Sequence, residues 1–312
     1  MSQKEQYELE ELCLEVTNEC LLECMHCSSS SHVEGERLDK KTVLGVIDDF
    51  EDLGGKELEI SGGEPLLHPD VWEILKYCDN KPFLTTLYTT GVANVPISDV
   101  VNKLSVDRVL VSLNGTAEVT RKVTGRDSYR RTRDFMRRLV ESGLETEVHF
   151  VPMKQNYKDF YNLLRECGEI GISRVKIIRL MPQGRALENW GKIHLPELEF
   201  KRFIEYAHEI ESNVEIEIGT PTSAYLCLDG KCKAATSSCL IRPDGNVYPC
   251  PALKTDGILC AGNVRQKTLR DIWNDGFYTT RTFKEVAQPY CLAPWIAPKS
   301  PDLIECMREI RG

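Results

Sequence analysis

No stretch of this sequence is apolar for long enough to cross a bilayer, and Met1-Ser2-Gln3-Lys4-Glu5 lacks the basic, apolar and small-residue succession of a signal peptide. Both absences point to the cytoplasm. Basic charge is not in excess either: the formal net charge is −9. A general nucleic-acid binder carries a basic surface, so neither nucleic acid nor a membrane is an expected partner. No serine, histidine and acid stand in the order of a hydrolase triad, no repeat extends beyond a strand-helix unit, and no segment is of low complexity.

Cysteine, by contrast, is abundant, with 13 residues. Disulfides are rare in the cytosol, so these cysteines argue for metal sites or thiol chemistry. Cys20, Cys24 and Cys27 share one short loop directly after the strand-like Leu12-Cys13-Leu14-Glu15-Val16-Thr17. Soft thiolates at this spacing suit iron-sulfur or zinc. A structural zinc site wants a fourth ligand nearby, which His26 could supply. A cubane held by three cysteines leaves one iron open to bind something else. The loop alone is compatible with either metal.

The remainder of the first two thirds alternates strand and helix. Val43, Val46, Ile47, Phe50 and Leu53 recur at helical spacing, and Gly54-Gly55 stops that helix. Further strands are expected at 57–60, 83–88, 108–113, 145–151 and 174–180, with helices at about 70–78, 98–104, 157–170 and 198–210. Six strands alternating with helices imply a parallel sheet with right-handed crossovers, an α/β fold whose chemistry sits at the carboxyl ends of the strands. Those ends carry the cysteine loop, then Gly62-Gly63-Glu64-Pro65, Thr89-Thr90-Gly91 and Ser112-Leu113-Asn114-Gly115. Arg126, Arg130, Arg131, Arg133, Arg137 and Arg138 read as a solvated helix face or as contacts to an anionic substrate or cofactor carboxylate. Cys13, Cys78 and Cys167 sit on apolar faces and read as core. Near residue 215 the character changes to short strands and turns rich in cysteine.

Gly62 and Gly63 would let a ligand approach the backbone, Glu64 would accept from an ammonium group, and Pro65 fixes the chain leaving the strand. With the three-cysteine loop, this turn resembles the radical S-adenosylmethionine (radical SAM) family. The resemblance implies a partial (β/α)6 TIM-like barrel over 1–215 and a [4Fe-4S] cluster on Cys20, Cys24 and Cys27. In that family the open iron chelates S-adenosylmethionine. His26 stands where the family places an aromatic residue near the adenine, and Gly62, Gly63, Glu64 and Pro65 match the motif for the methionine amine. Ser112, with Asn114 beside it, matches a ribose or carboxylate contact. Family members often have Arg-Gly where this chain has Thr124-Gly125, which makes Arg126 or Lys122 the candidate carboxylate partner. Arg179 and Leu180 fall in a run that lines the adenine and substrate side in the family.

In the C-terminal part, Pro243-Asp244-Gly245-Asn246 marks a hairpin between Cys239 and Cys250, which could bring flanking cysteines to one metal centre. Cys232, Gly245 and Cys250 resemble the SPASM/twitch extension of radical SAM enzymes. That likeness implies a small cysteine-rich α+β domain over 216–312 with at least one auxiliary [4Fe-4S] cluster. Its expected ligands are Cys232, Cys239, Cys250 and Cys291, with Cys306 in reserve. Cys227 and Cys260 are ligands, core residues or thiol hydrogen donors.

On family grounds the implied reaction is reductive cleavage of S-adenosylmethionine to a 5′-deoxyadenosyl radical that abstracts hydrogen. Oxidation or cross-linking of a ribosomally made peptide follows, with an electron donor such as flavodoxin or ferredoxin. The alternatives are dehydrogenation or epimerisation of a sugar or aminocyclitol carbinol, and a metal-binding interaction protein without catalysis. Many peptide modifiers carry a leader-binding module ahead of the first strand, and the first strand here begins near residue 10, which favours the carbinol.

Overall fold

A computed structural model of the chain describes residues 7–93, 96–219, 222, 232–254, 259–277, 280 and 281. The strands β1 (Glu11–Thr17), β2 (Glu57–Gly62), β3 (Leu84–Thr89), β4 (Arg108–Ser112), β5 (Glu145–Phe150), β6 (Arg174–Ile177) and β7 (Glu215–Ile218) pair in chain order, each parallel to the next. The crossovers carry α1 (Lys40–Asp52), α2 (Val71–Cys78), α3 (Ile97–Lys103), α4 (Ala117–Thr124), α5 (Tyr129–Glu141) and α6 (Phe160–Ile170), then α7 (Gly184–Glu188), α8 (Trp190–Ile193) and α9 (Glu197–Glu209). The sheet does not close. Its β1 side continues instead into β8 (Ser238–Ile241), parallel to β1, and then into antiparallel β9 (Asn246–Tyr248) and β10 (Gly262–Asn263).

Local sequence explains the elements. Asp39 caps α1 by accepting from the Thr42 amide at 3.0 Å, Val43, Val46, Ile47 and Phe50 form its buried stripe, and Gly54 takes the left-handed conformation beyond it. Strand alternation sorts the sheet into two faces. Leu12, Leu14, Leu58, Ile60, Val109, Val111, Val148, Phe150, Val175 and Ile177 join the helices in one apolar core. The opposite face is polar. There Arg108 Nη2 lies 2.5 Å from Glu57, Glu147 lies between Arg108 and Arg174, and the Tyr88 hydroxyl donates to Glu59 at 2.8 Å.

Two features were not in the sequence reading. β7 is too short and too acidic (Glu-Ile-Glu-Ile) to stand out, yet it pairs in register with β6. β8 adds the cysteine-rich part to the main sheet, so hydrogen-bonded pairing runs unbroken past residue 215. Cys13 is a correction: it lies on the polar face beside Glu59, whereas Cys78 and Cys167 are core as expected. The arginines of α5 mostly face solvent, with Arg137 paired to Asp134 on its own helix and Arg131 donating to the Gly91 carbonyl at 3.0 Å.

The chain beyond β10 returns to the N-terminal part. The Leu269 amide donates to Asp49 of α1 at 2.8 Å, and the fully buried Trp273 donates from Nε1 to the Tyr7 carbonyl at 2.7 Å. Trp273→Ala should therefore cost about 3–5 kcal/mol. The check is the urea-unfolding midpoint of the apoprotein, with Trp273→Phe expected to recover part of the loss.

Candidate functional site

The site begins where β1 ends. Residues 17–20 are clasped between two other backbones. On one side the Asn18 amide donates to Glu36 O at 2.7 Å and the Cys20 amide to His32 O at 2.9 Å. On the other, the Gly63 amide donates to Thr17 O and the Glu64 amide to Glu19 O, both at 2.7 Å. A Cβ on Gly35 would overlap the Asn18–Glu19 peptide, and a Cβ on Gly63 would overlap the Glu19 carbonyl. Gly62, at φ +136°, would overlap Thr17 O. The sequence suggests that Gly62 and Gly63 admit a ligand; in the structure the space beside them, as beside Gly35, is taken by the backbone leading to the cysteines.

Glu64 is wholly buried, and four donors fill its carboxylate. Thr89 Oγ1 (2.5 Å) and the Leu66 amide (3.3 Å) donate to Oε1, while the Thr90 amide (2.8 Å) and Thr90 Oγ1 (2.6 Å) donate to Oε2. A carboxylate offers about four lone-pair positions, so Glu64 ties the end of β2 to the end of β3. Burial raises its pKa, and the four donors oppose that shift. Pro65 starts the buried turn that follows.

Cys27 lies close enough to Cys20 and Cys24 to raise the cost of charging them, as Cys20 does for Cys24. Burial pushes the Cys20 thiol up to about 11 and that of Cys24 higher still. Cys20 Sγ accepts from the Leu22 amide and Cys27 Sγ from the Ser31 amide, both at 3.4 Å. Such N–H···S bonds favour the thiolate. Among the described residues, no three His, Cys, Asp or Glu side chains converge tightly enough for a single metal ion. Three thiols on one loop suit the corners of a cluster.

Segments distant in sequence hold this loop. The Met25 amide donates to Val123 O at 2.9 Å, and Arg185 donates from Nε to Cys24 O at 3.0 Å and from Nη1 to Ser31 O at 2.7 Å. Arg185 also puts a cation beside the thiols. Burial, with this charge, lowers the His26 imidazole to about 4, and His26 Nδ1 has no hydrogen-bond partner among the described residues. His149 of β5 is a neighbour of His26 and is lowered to about 3, chiefly by burial. Both rings are neutral at physiological pH.

The other expected residues are dispersed around this centre. Ser112 pairs in register with His149, and Asn114 is buried just beyond it. Leu180 is buried in an apolar cluster with Val123, Met153 and Ile193, against which Met25 packs. Arg179 is buried, its amide donating to Thr222 at 2.8 Å. Arg126 is half exposed, 3.8 Å from Glu23 of the cysteine loop. Sequence reasoning missed Gly35, Arg185, Asn189 and Lys254. Nothing local marks them, since each acts on a backbone or carboxylate far away in the chain.

At the second site Cys232 and Cys250 pack against one cluster of Ala234, Ala252, Leu253 and Leu259. Cys239 does not join them, which corrects its expected place. The hairpin forms, with Gly245 at φ +86° in its turn, but Cys239 lies within β8 opposite Leu12, and alternation turns its side chain into the core behind the sheet. Cys260 donates to Gly262 O at 3.4 Å and neighbours Tyr248. Cys227, Cys291 and Cys306 lie outside the described residues.

Comparison with known proteins agrees with this arrangement. The chain is 26% identical over 305 residues to the AdoMet-dependent heme synthase of Methanosarcina barkeri, covering 88% of this chain and 84% of that one. It is 27% identical over 276 residues to the PqqA peptide cyclase of Ruegeria pomeroyi, covering 84% and 73%. Streptococcus suis SuiB bound to S-adenosylmethionine shares the fold, with a TM-score of 0.76 at 20% identity over 95% of this chain and 76% of that one. The same protein bound to precursor peptide SuiA gives a TM-score of 0.75 at 19% identity over 95% and 74%. Among the described residues no helix is long and apolar enough to cross a membrane. The model of an iron-sulfur cluster-binding domain, SPASM, matches residues 232–293, and that of the Radical SAM superfamily matches residues 14–181. The chain belongs to the radical SAM superfamily, as an iron-sulfur enzyme that uses S-adenosylmethionine and carries a SPASM domain.

Proposed function

We propose that this enzyme removes hydrogen from a ribosomally made peptide and leaves it oxidised or cross-linked. The observation that supports the radical step is the clasp between residues 17–20 and Gly62–Glu64, which fixes three thiols beside a glycine turn at the carboxyl ends of β1 and β2. The names of the PqqA peptide cyclase and of SuiB with its precursor peptide support the substrate class. The likeness to the heme synthase favours, as a second reading, a small-molecule substrate.

In this proposal Cys20, Cys24 and Cys27 hold the [4Fe-4S] cluster that S-adenosylmethionine meets. When bound, the pair supplies one-electron cleavage of the sulfonium and hydrogen abstraction from carbon, chemistry that belongs to the cofactor. The protein binds, orients and excludes water. The Gly62-Gly63 turn takes the amine, and Glu64, its lone pairs filled, keeps that turn in place. The neutral ring of His26 and the apolar cluster of Leu180 and Val123 form a wall for the adenine. Ser112 and Asn114 serve the ribose or carboxylate, with Arg126 as the cation and Arg179 on the substrate side. Cys232 and Cys250, with Cys291, would hold an auxiliary cluster, which would supply one-electron chemistry beside the substrate. The division between the two activities falls near residue 215, and a flavodoxin or ferredoxin is the electron donor.

Anaerobic reconstitution with iron, sulfide, dithionite and S-adenosylmethionine should yield 5′-deoxyadenosine, and its absence would sink the radical reading. Short peptides encoded beside the gene should lose two hydrogens on incubation; a tetrapyrrole changed in their place would favour the second reading.

Gly63→Ala should lower 5′-deoxyadenosine formation about 100-fold, because the new Cβ displaces Glu19 and the loop behind it. Glu64→Ala should lower it more than Glu64→Gln, which keeps one acceptor oxygen for either Thr89 or Thr90. Equal rates for the two Glu64 variants would show that these bonds do not position the turn.

A further inference from the structure

Between the two cysteine sites runs a continuous strut. Met181 packs against the cluster that holds Cys232 and Cys250, and Gln183 Nε2 donates at 3.3 Å to the carbonyl of Pro251, the residue after Cys250. The next residues reach the other site. Gly184, at φ +54°, comes so close that a Cβ there would lie 2.7 Å from Ser28 O and 2.8 Å from Cys27 O. Arg185 binds the carbonyls of Cys24 and Ser31, and Asn189 Nδ2 donates to Met25 O at 3.3 Å. Residues 181–189 therefore touch one site with their first residues and hold the main chain of the other with the rest.

A second link runs parallel to the first. Lys254, four residues beyond Cys250, places Nζ 2.6 Å from Glu15 Oε1 and 2.5 Å from Oγ of Ser29, two residues beyond Cys27. Ser29 itself donates to Glu15 at 3.0 Å. The Lys254 and Glu15 side chains are only 3% and 5% exposed. Taking one partner from a buried ion pair leaves an uncompensated charge, so this contact resists being pulled apart.

We propose that these links couple the two cysteine sites, so that filling the C-terminal site fixes the Cys20–Cys27 loop in the shape its own cluster needs. The inference rests on the two-cluster reading given under Proposed function. A cluster on Cys232 and Cys250 anchors Pro251 and Lys254, and through them Gln183, Ser29 and Glu15. Coupling of this kind is reciprocal. Arg185 and Lys254 are positioning residues in this scheme, since each acts through the main chain or a neighbour of the first loop.

Amide hydrogen exchange in residues 20–31 of the full chain, reconstituted anaerobically, provides the test. Cys232→Ala/Cys250→Ala should speed exchange there about tenfold, while α1 keeps its protection. In a Glu15→Leu/Gln183→Leu/Lys254→Met background, which removes both partners of the ion pair, the same two cysteine changes should alter exchange in residues 20–31 less than about twofold, as expected for sites no longer coupled. If Cys232→Ala/Cys250→Ala loosens α1 as well, Cys250→Ser alone replaces it in both backgrounds. Iron counted per chain reads the two-cluster assignment separately. No iron at the C-terminal site of the unchanged protein overturns that assignment and the coupling together. Iron at both sites, with exchange in residues 20–31 indifferent to the cysteine changes or equally sensitive in both backgrounds, overturns the coupling alone.

Discussion

The structure depends on one close approach of backbone to backbone. The peptide of Asn18 and Glu19 lies against Gly35 and the Glu19 carbonyl against Gly63, with no space for a side chain at either glycine. A loop that must present three thiols in fixed positions cannot rely on its own short hydrogen bonds. It takes its shape from the strands on which it is mounted, β1 directly and β2 through the glycine turn. Glu64 extends the same logic to β3, because its buried carboxylate binds Thr89 and Thr90 at the end of that strand. Placement of the thiols is thus a property of the sheet as much as of the loop.

The polar face of the sheet is the second constraint. An ordinary barrel fills its interior with branched apolar side chains in layers. Here the corresponding positions hold Glu57, Arg108, Glu147 and Arg174 as an ion-pair network, with Glu59, Tyr88, His149 and Lys176 nearby. Burial raises the pKa of Glu59 and Glu147 and lowers that of His149, while Arg108, Glu57 and Arg174 keep part of their side chains in solvent. Such a face does not drive closure of the sheet by hydrophobic burial. It gives the open sheet a rigid, hydrogen-bonded floor below the cysteine loop.

How much of this could be read from the sequence differs residue by residue. The strand-helix alternation, the hairpin at Pro243–Asn246 and the grouping of unusual turns at strand ends follow from local periodicity and turn chemistry, and the structure carries them. Cys239 was misplaced because spacing along the chain records proximity but not which face of a strand a side chain takes. Glu64 was found, yet its partners Thr89 and Thr90 belong to another strand, so its work as a tie was hidden. Arg185 and Lys254 leave no local mark: a surface arginine and a buried one look alike until the chain has folded. β7 and the pairing of β8 with β1 are likewise long-range facts, which no window of sequence contains.

The pairing of β8 with β1 also bears on how the chain is made. β1 is made before the other strands, but one of its two neighbours in the sheet and the lysine that pairs with Glu15 follow only after β7, at a sequence separation of 239 residues for the Lys254–Glu15 contact. Contacts of such separation form late, because the entropy of closing the intervening chain must be overcome before they are gained. A nascent chain that has reached β7 therefore has an unpaired edge on β1 and an unneutralised acid behind the first cysteine loop. Pairing of β1 with β8, seating of that acid and arrival of the segment that carries Cys232 and Cys250 therefore all follow β7. The first thiols thus reach their final environment only once the distant strand and lysine that support them have been made.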